Sequence, residues 1–140
     1  MKLVREWKSI ATIAIGAALL ELDSLRTMLR DMPGVVEEMP FGPAALVYKI
    51  LALKMFALVS WNETPVRINL KCEPSYALFL REQFAAVTPG YHMNKQHWNT
   101  VTLDGSIVEA KIVSMIEDSY QLVVQKMTSK DQQRLRYLSP

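Results

Sequence analysis

The segment Pro89-Gly90-Tyr91-His92-Met93-Asn94-Lys95-Gln96-His97-Trp98-Asn99-Thr100-Val101 gathers both histidines of the chain with a tryptophan, a tyrosine, a lysine and two asparagines. Side chains of these types suit nucleic acid. Lys95 can neutralise a phosphate, Asn94, Gln96 and Asn99 can bond phosphates or base edges, and Tyr91 and Trp98 can stack on a base. His92 and His97 belong to the same segment, and Lys49, Lys54, Arg67 and Lys71 extend it as a basic patch. From Ala44 to Trp98 there are six basic residues against three acidic ones, a local excess of three. Neutralising three or four phosphates would give a salt slope of only about −3, so the contact is weak at physiological salt.

The same residues have purely architectural uses. Trp98 and Tyr91 can plug the edge of a core, and Asn94 and Asn99 can hold a turn through bonds to the backbone. A metal site at His92 and His97 needs a third ligand, only Asp104 is near, and their five-residue spacing is not that of a helical pair. No metal and no cofactor are predicted. Cys72, the one cysteine, ends an alternating run on its apolar side and reads as a buried, inert thiol. Pairing it with a histidine as a nucleophile would need an orienting third group that is not visible. Glu37 and Glu38 are adjacent and point to opposite faces of a strand, which argues against a shared acid–base pair. With no glycine-rich phosphate loop or serine elbow either, no catalytic residue is assigned and the chain reads as a non-enzyme.

These side chains must be positioned by a single domain. The chain has 140 residues, 50% hydrophobic and 21% charged, enough for a packed core and too apolar for disorder. A net charge of +2 excludes a histone-like polyelectrolyte surface. One cysteine excludes an internal disulfide and suits a reducing compartment.

Residues 1–20 form an extension in which Lys2, Arg5 and Lys8 precede the uncharged run Ile10 to Leu20. That run is too short to span a bilayer, for which about 20 residues are needed. Val4, Trp7, Ala11, Ala14 and Ala18 recur at helical spacing, so a packed helix, a leader and a signal peptide all remain open readings.

The domain proper runs from residue 21 to 128. Asp23 is expected to cap a first helix with Leu25, Met28, Leu29 and Met32 on one face, stopped at Pro33-Gly34. Between Val35 and Cys72 a period of two, broken at Pro40–Pro43, Leu51–Lys54 and Asn62–Pro65, predicts three or four antiparallel strands. In Val66 to Cys72 the residues Arg67, Asn69 and Lys71 share a face, which predicts a wet, basic side of the sheet. Pro74 opens a second helix with Ala77, Leu80 and Phe84 inward and Arg81 in water. Two short strands follow, Val87 to His92 and Trp98 to Leu103. Ser106 and Glu109 then form a capping box for a long helix whose stripe is Ile112, Met115, Ile116, Ser119, Tyr120, Val123 and Met127. The charged tail, 129–140, is expected to fray. The fold class is therefore α+β, a two-layer sandwich of antiparallel sheet with helices on one face, α-β(3–4)-α-β(2)-α.

The segments Pro33-Gly34-Val35, Pro40-Phe41-Gly42-Pro43, Asn69-Leu70-Lys71-Cys72, Pro89 to Lys95 and His97-Trp98-Asn99-Thr100-Val101, in that order, resemble the MmcQ/YjbR family, as do Ser119-Tyr120 and Leu122-Val123. The resemblance covers Leu22 to Lys126. It implies a small bacterial cytoplasmic protein with no known catalytic residues, and a sandwich similar to secretion chaperones and to frataxin-like, CyaY-like folds. The family is described as predicted DNA-binding proteins with a double-wing motif. Members often carry Lys-Arg before the His-Trp pair, where this chain has Lys95-Gln96, which lowers the charge of the site.

Two functions follow as expectations. The first is low-affinity DNA binding through Lys49, Lys54, Arg67, Lys71, Tyr91, His92, Asn94, Lys95, His97, Trp98 and Asn99 on the open sheet face. The second is a protein-interaction or chaperone-like module, dimeric or holding a protein partner, for which the chain's eight methionines are suited. No membrane partner is expected.

Overall fold

The computed structural model describes residues 20–139. The expected N-terminal helix thus lies outside the described residues, apart from Leu20, which is buried. Helix α1 (Leu22–Arg30) leads into strands β1 (Val35–Glu38), β2 (Ala45–Ile50), β3 (Lys54–Ser60) and β4 (Arg67–Lys71). Helix α2 (Pro74–Gln83), β5 (Val87–Pro89), β6 (Trp98–Thr102), α3 (Glu109–Gln125) and α4 (Ser129–Leu138) complete the order. The strands form one sheet in the order β1-β2-β3-β4-β6-β5, with every pair antiparallel. The α+β sandwich read from the sequence is the architecture found.

Cross-strand partners share a face, so the register sorts the side chains. Tyr48, Ala57, Leu70 and Asn99 form one row, and Leu46, Val59, Ile68, Val101 and Val87 the next. Both rows face the helices. Tyr120 of α3 meets Phe56 edge-on at 5.4 Å, and Asn99 bonds the Ala77 carbonyl of α2. Leu25 and Leu29 of α1 are fully buried in the same core. Each such side chain contributes about 1.5–3 kcal/mol on leaving water.

Phe56 is an extra residue in β3, because Tyr48 pairs with Ala57 while Lys49 already pairs with Met55. The bulge keeps both Phe56 and Ala57 buried. It also ends the β3–β4 ladder at Ala57–Leu70. Past that point the Phe56 carbonyl and the Lys71 amide are joined through a helix side chain. Ser119 Oγ accepts from Lys71 N at 2.8 Å and donates to Phe56 O at 2.6 Å. This serine, wholly buried in the apolar stripe of α3, therefore completes the sheet. One residue on, Tyr120 donates its hydroxyl to Pro33 O at 2.6 Å and ties α3 to the turn after α1.

Several local expectations are corrected. Asp23 lies inside the first turn of α1, and the capping position is Glu21, which makes no side-chain cap. Ser106 does not cap α3, because Asp104 captures it first, accepting from its amide at 2.9 Å and its hydroxyl at 2.6 Å; the helix starts three residues later. The tail does not fray. Thr128 caps Asp131 N at 3.1 Å, and Gln132 Nε2 donates to the Val124 and Met127 carbonyls at 2.9 and 3.2 Å. Leu135 is buried against Gly34 and Leu51, where a Cβ on Gly34 would lie only 2.6 Å from its methyl.

The face opposite α1–α3 is not simply wet and basic. Its central row is Val47, Leu58, Asn69 and Thr100, of which only Leu58 is not buried. Two of its cations are already neutralised. Lys49 pairs with Glu38 at 3.0 Å, and Arg67 Nε bonds Glu63 at 2.6 Å.

A half-buried acid, Glu37, locks β1 and β2 to α1. Arg26 donates to both Glu37 oxygens at 2.7 and 3.0 Å, and the Tyr48 hydroxyl donates at 2.5 Å. The Arg26 bond, helped by Tyr48, holds the Glu37 carboxyl below its usual range. A carboxyl depressed in the folded state adds stability above its unfolded pKa and loses it as pH falls through the folded one. Urea unfolding of the parent protein should therefore weaken progressively below about pH 4.5, and Glu37→Gln should flatten that fall while costing about 1–3 kcal/mol at neutral pH. An unchanged acid slope in Glu37→Gln would remove this network from the account.

Candidate functional site

The antiparallel order brings one end of the sheet together: the end of β4, the start of β3, the start of β6 and the end of β5. Lys71, Lys54, Trp98 and the loop from Gly90 to His97 thus share that end. The loop is built from its backbone. Gly90 donates to Trp98 O at 2.9 Å, and any Cβ there would stand 2.8 Å from Trp98 Cβ, so only glycine fits. Asn94 caps the following turn, its Oδ1 accepting from Gln96 N at 2.9 Å and its carbonyl from Trp98 N at 2.9 Å.

Tyr91 is the exposed aromatic residue of the site whose backbone is held by side chains of the sheet. Its amide donates to Thr100 Oγ1 at 2.9 Å, its carbonyl accepts from Asn69 Nδ2 at 3.2 Å, and Thr100 Oγ1 donates to Asn69 Oδ1 at 2.6 Å. Asn69 and Thr100 are buried, while Tyr91 itself is 58% exposed. His92 follows in the left-handed region at φ 59°, its ring centroid 4.0 Å from that of Tyr91. A histidine held there is uncommon and marks a constrained segment. The Arg67 guanidinium lies 5.7 Å from the Tyr91 ring centre.

The predicted residues divide into groups. Tyr91, His92 and Lys95 are exposed together on the loop, with Arg67 beside the ring and half-buried Trp98 at its base. Lys95 Nζ reaches back to Gly90 O at 3.3 Å. His97 is half-buried and its carbonyl accepts from Cys72 N at 2.8 Å. Lys49 lies toward the β1 edge, paired with Glu38.

Asn99 is a correction. It faces the helices, is 3% exposed, and its amide is spent on Arg81 and Ala77. Arg81, expected in water, organises the loop instead: its Nε donates to Asn99 Oδ1 at 2.7 Å, and its Nη2 donates to the Lys95 and Trp98 carbonyls.

Lys54 and Lys71 leave the loop and join a residue the sequence did not single out, Lys126 at the end of α3. These three lysines line a cleft of about 550 Å³ that opens where β3 and β4 part beyond Ser119. Leu53, Met55, Val123 and Met127 form its apolar walls, and Thr128 and Asp131 its rim. Burial first, then the charges of Lys126 and Lys54, hold the Lys71 ammonium below the usual lysine range. Cys72, 7% exposed, is pushed up to about 11 by burial and by Asp118 and Glu73, so it carries no thiolate at neutral pH. The described residues hold no group of three His, Cys, Asp or Glu side chains placed for a metal. Among them no helix is long and apolar enough to cross a membrane.

The fold is a small α+β sandwich that carries an exposed aromatic pair and a lysine-lined cleft at one end of its sheet. The YjbR family model matches residues 30–122, and the chain belongs to that family. It is 37% identical over 114 residues to the YbdF protein of Escherichia coli O157:H7, covering 81% of this chain and 93% of that one. It is 41% identical over 70 residues to YjbR of Escherichia coli K12, covering 50% of this chain and 59% of that one. Among solved structures it is similar to the Deinococcus radiodurans protein DR2400, with a TM-score of 0.78 and 34% identity over 84% of this chain and 88% of that one. A Pseudomonas syringae protein aligns with a TM-score of 0.65 and 28% identity over 74% of this chain and 98% of that one.

Removing Arg81 tests how the loop is held. Arg81→Ala leaves the buried Asn99 oxygen without its donor and should cost about 1–3 kcal/mol in urea unfolding, with faster amide exchange at Trp98. A loss below about 0.5 kcal/mol would mean the loop stands without it.

Proposed function

We propose that this protein is a nucleic-acid-binding module of low affinity that takes single-stranded bases on the Tyr91–His92 platform. The observation that carries this reading is an exposed aromatic ring whose backbone is pinned on both sides by buried Asn69 and Thr100. A ring carried on a pinned backbone loses less entropy when a base stacks on it than one on a free loop, and stacking contributes about 1–3 kcal/mol per base. Lys95 and Arg67 flank the ring as phosphate contacts. Glu63 offsets part of the Arg67 charge, which supports weak binding. With about two phosphates neutralised on a single strand the salt slope is about −1.4.

Fluorescence anisotropy with a short oligothymidine at low salt should give a dissociation constant on the order of 10⁻⁴ M. Tyr91→Ala should weaken it about tenfold, and Lys126→Gln should leave it unchanged. No binding at low salt, or binding indifferent to Tyr91→Ala, would overturn the reading. A second reading, a protein-interaction module, is supported by Leu78 and Phe79, 59% and 50% exposed side by side on α2. A stable dimer in light scattering on the same samples, lost in Phe79→Ser, would favour it.

A further inference from the structure

Like charges repel, and a fold that gathers them usually supplies counter-charges. Around the cleft between the parted ends of β3 and β4 and the α3–α4 junction, Lys54, Lys71 and Lys126 converge. None of the three makes an ion pair among the described residues, whereas Arg26, Lys49, Arg67 and Arg134 all do. The one carboxylate on the rim, Asp131, is engaged by Arg134 at 3.2 Å. Lys71 is half-buried, so its repulsion from its two neighbours is screened less than at an open surface.

The cleft is concave, about 550 Å³, within the range of roughly 300–1,000 Å³ usual for small-molecule sites. Three of its five polar lining residues are lysines, the others being Thr128 and Asp131, and its remaining wall is aliphatic and thioether, from Leu53, Met55, Val123 and Met127. We propose that this cleft is a binding site for a small phosphorylated ligand with an apolar or aromatic part, of the nucleoside-phosphate class. The ammonium groups neutralise the phosphates as point charges. The methionines mould to the base, which is the adaptable contact thioether side chains give. A cleft of about 550 Å³ suits a single small anion rather than a strand.

The site is separate from the Tyr91 platform, and titration calorimetry at low ionic strength tests it with two probes, ADP and inorganic pyrophosphate. ADP is expected to bind one to one and more tightly than pyrophosphate. Lys71→Ala and Lys126→Gln are each expected to weaken ADP about tenfold, while Tyr91→Ala leaves it unchanged. Lys126 is exposed, so its variant reports binding without unfolding the chain. Absence of saturable binding of both probes, ADP binding indifferent to Lys126→Gln, or displacement of ADP by oligothymidine would overturn the proposal.

Discussion

A single buried hydroxyl decides how the two layers meet. The bulge at Phe56 separates β3 from β4, and a carbonyl and an amide in the core would be left without partners, at about 1–3 kcal/mol each. Ser119 Oγ serves both at once, as acceptor and donor. Because that oxygen is fixed to α3, the helix cannot slide along the sheet without breaking the pair. Tyr120 adds a second fixed point at Pro33, and Phe56 packs against its ring. Val123, one turn beyond Ser119 on the same stripe, then lies over the gap, and Lys126 follows at the mouth of the cleft. The geometry of the basic cleft is thus a consequence of how the core satisfies its polar atoms.

Charge is distributed by the same logic. Lys49 and Arg67 on the face opposite α1–α3 find Glu38 and Glu63 nearby, from the adjacent strand and the preceding turn. Four lysines that make no ion pair among the described residues lie at one end of the sheet, in two separate places: Lys95 beside the aromatic pair, and Lys54 with Lys71 and Lys126 in the cleft. A net charge of +2 for the whole chain conceals this local contrast.

Much of the fold was legible because its signals are local. The alternation of Val66 to Cys72 reads directly as β4, since a period of two survives wherever one face is buried. The α3 stripe, including Ser119, is visible at helical spacing, although nothing in the spacing says that a serine there bonds the sheet. Helix α4 was not legible. Leu135 is its one buried residue, and its order rests on Thr128 and Gln132 closing the ends of two helices, which is tertiary chemistry. Ser106 was misread because two local bonds compete for one hydroxyl and the nearer acid, Asp104, takes it. Lys126 stayed hidden because its companions come from strands far earlier in the chain. Asn99 looked like a ligand contact for the same reason: only the register shows that it faces α2.

The central claim is that Ser119 carries the hydrogen bonding of the sheet across the bulge. Native-state amide exchange in Ser119→Ala measures it most directly, by following Lys71 N–H against Ile68 N–H within the same strand. The account predicts that Lys71 protection falls at least about tenfold relative to Ile68, because its acceptor has been removed. Equal protection of the two amides in the variant, as in the parent protein, would contradict it.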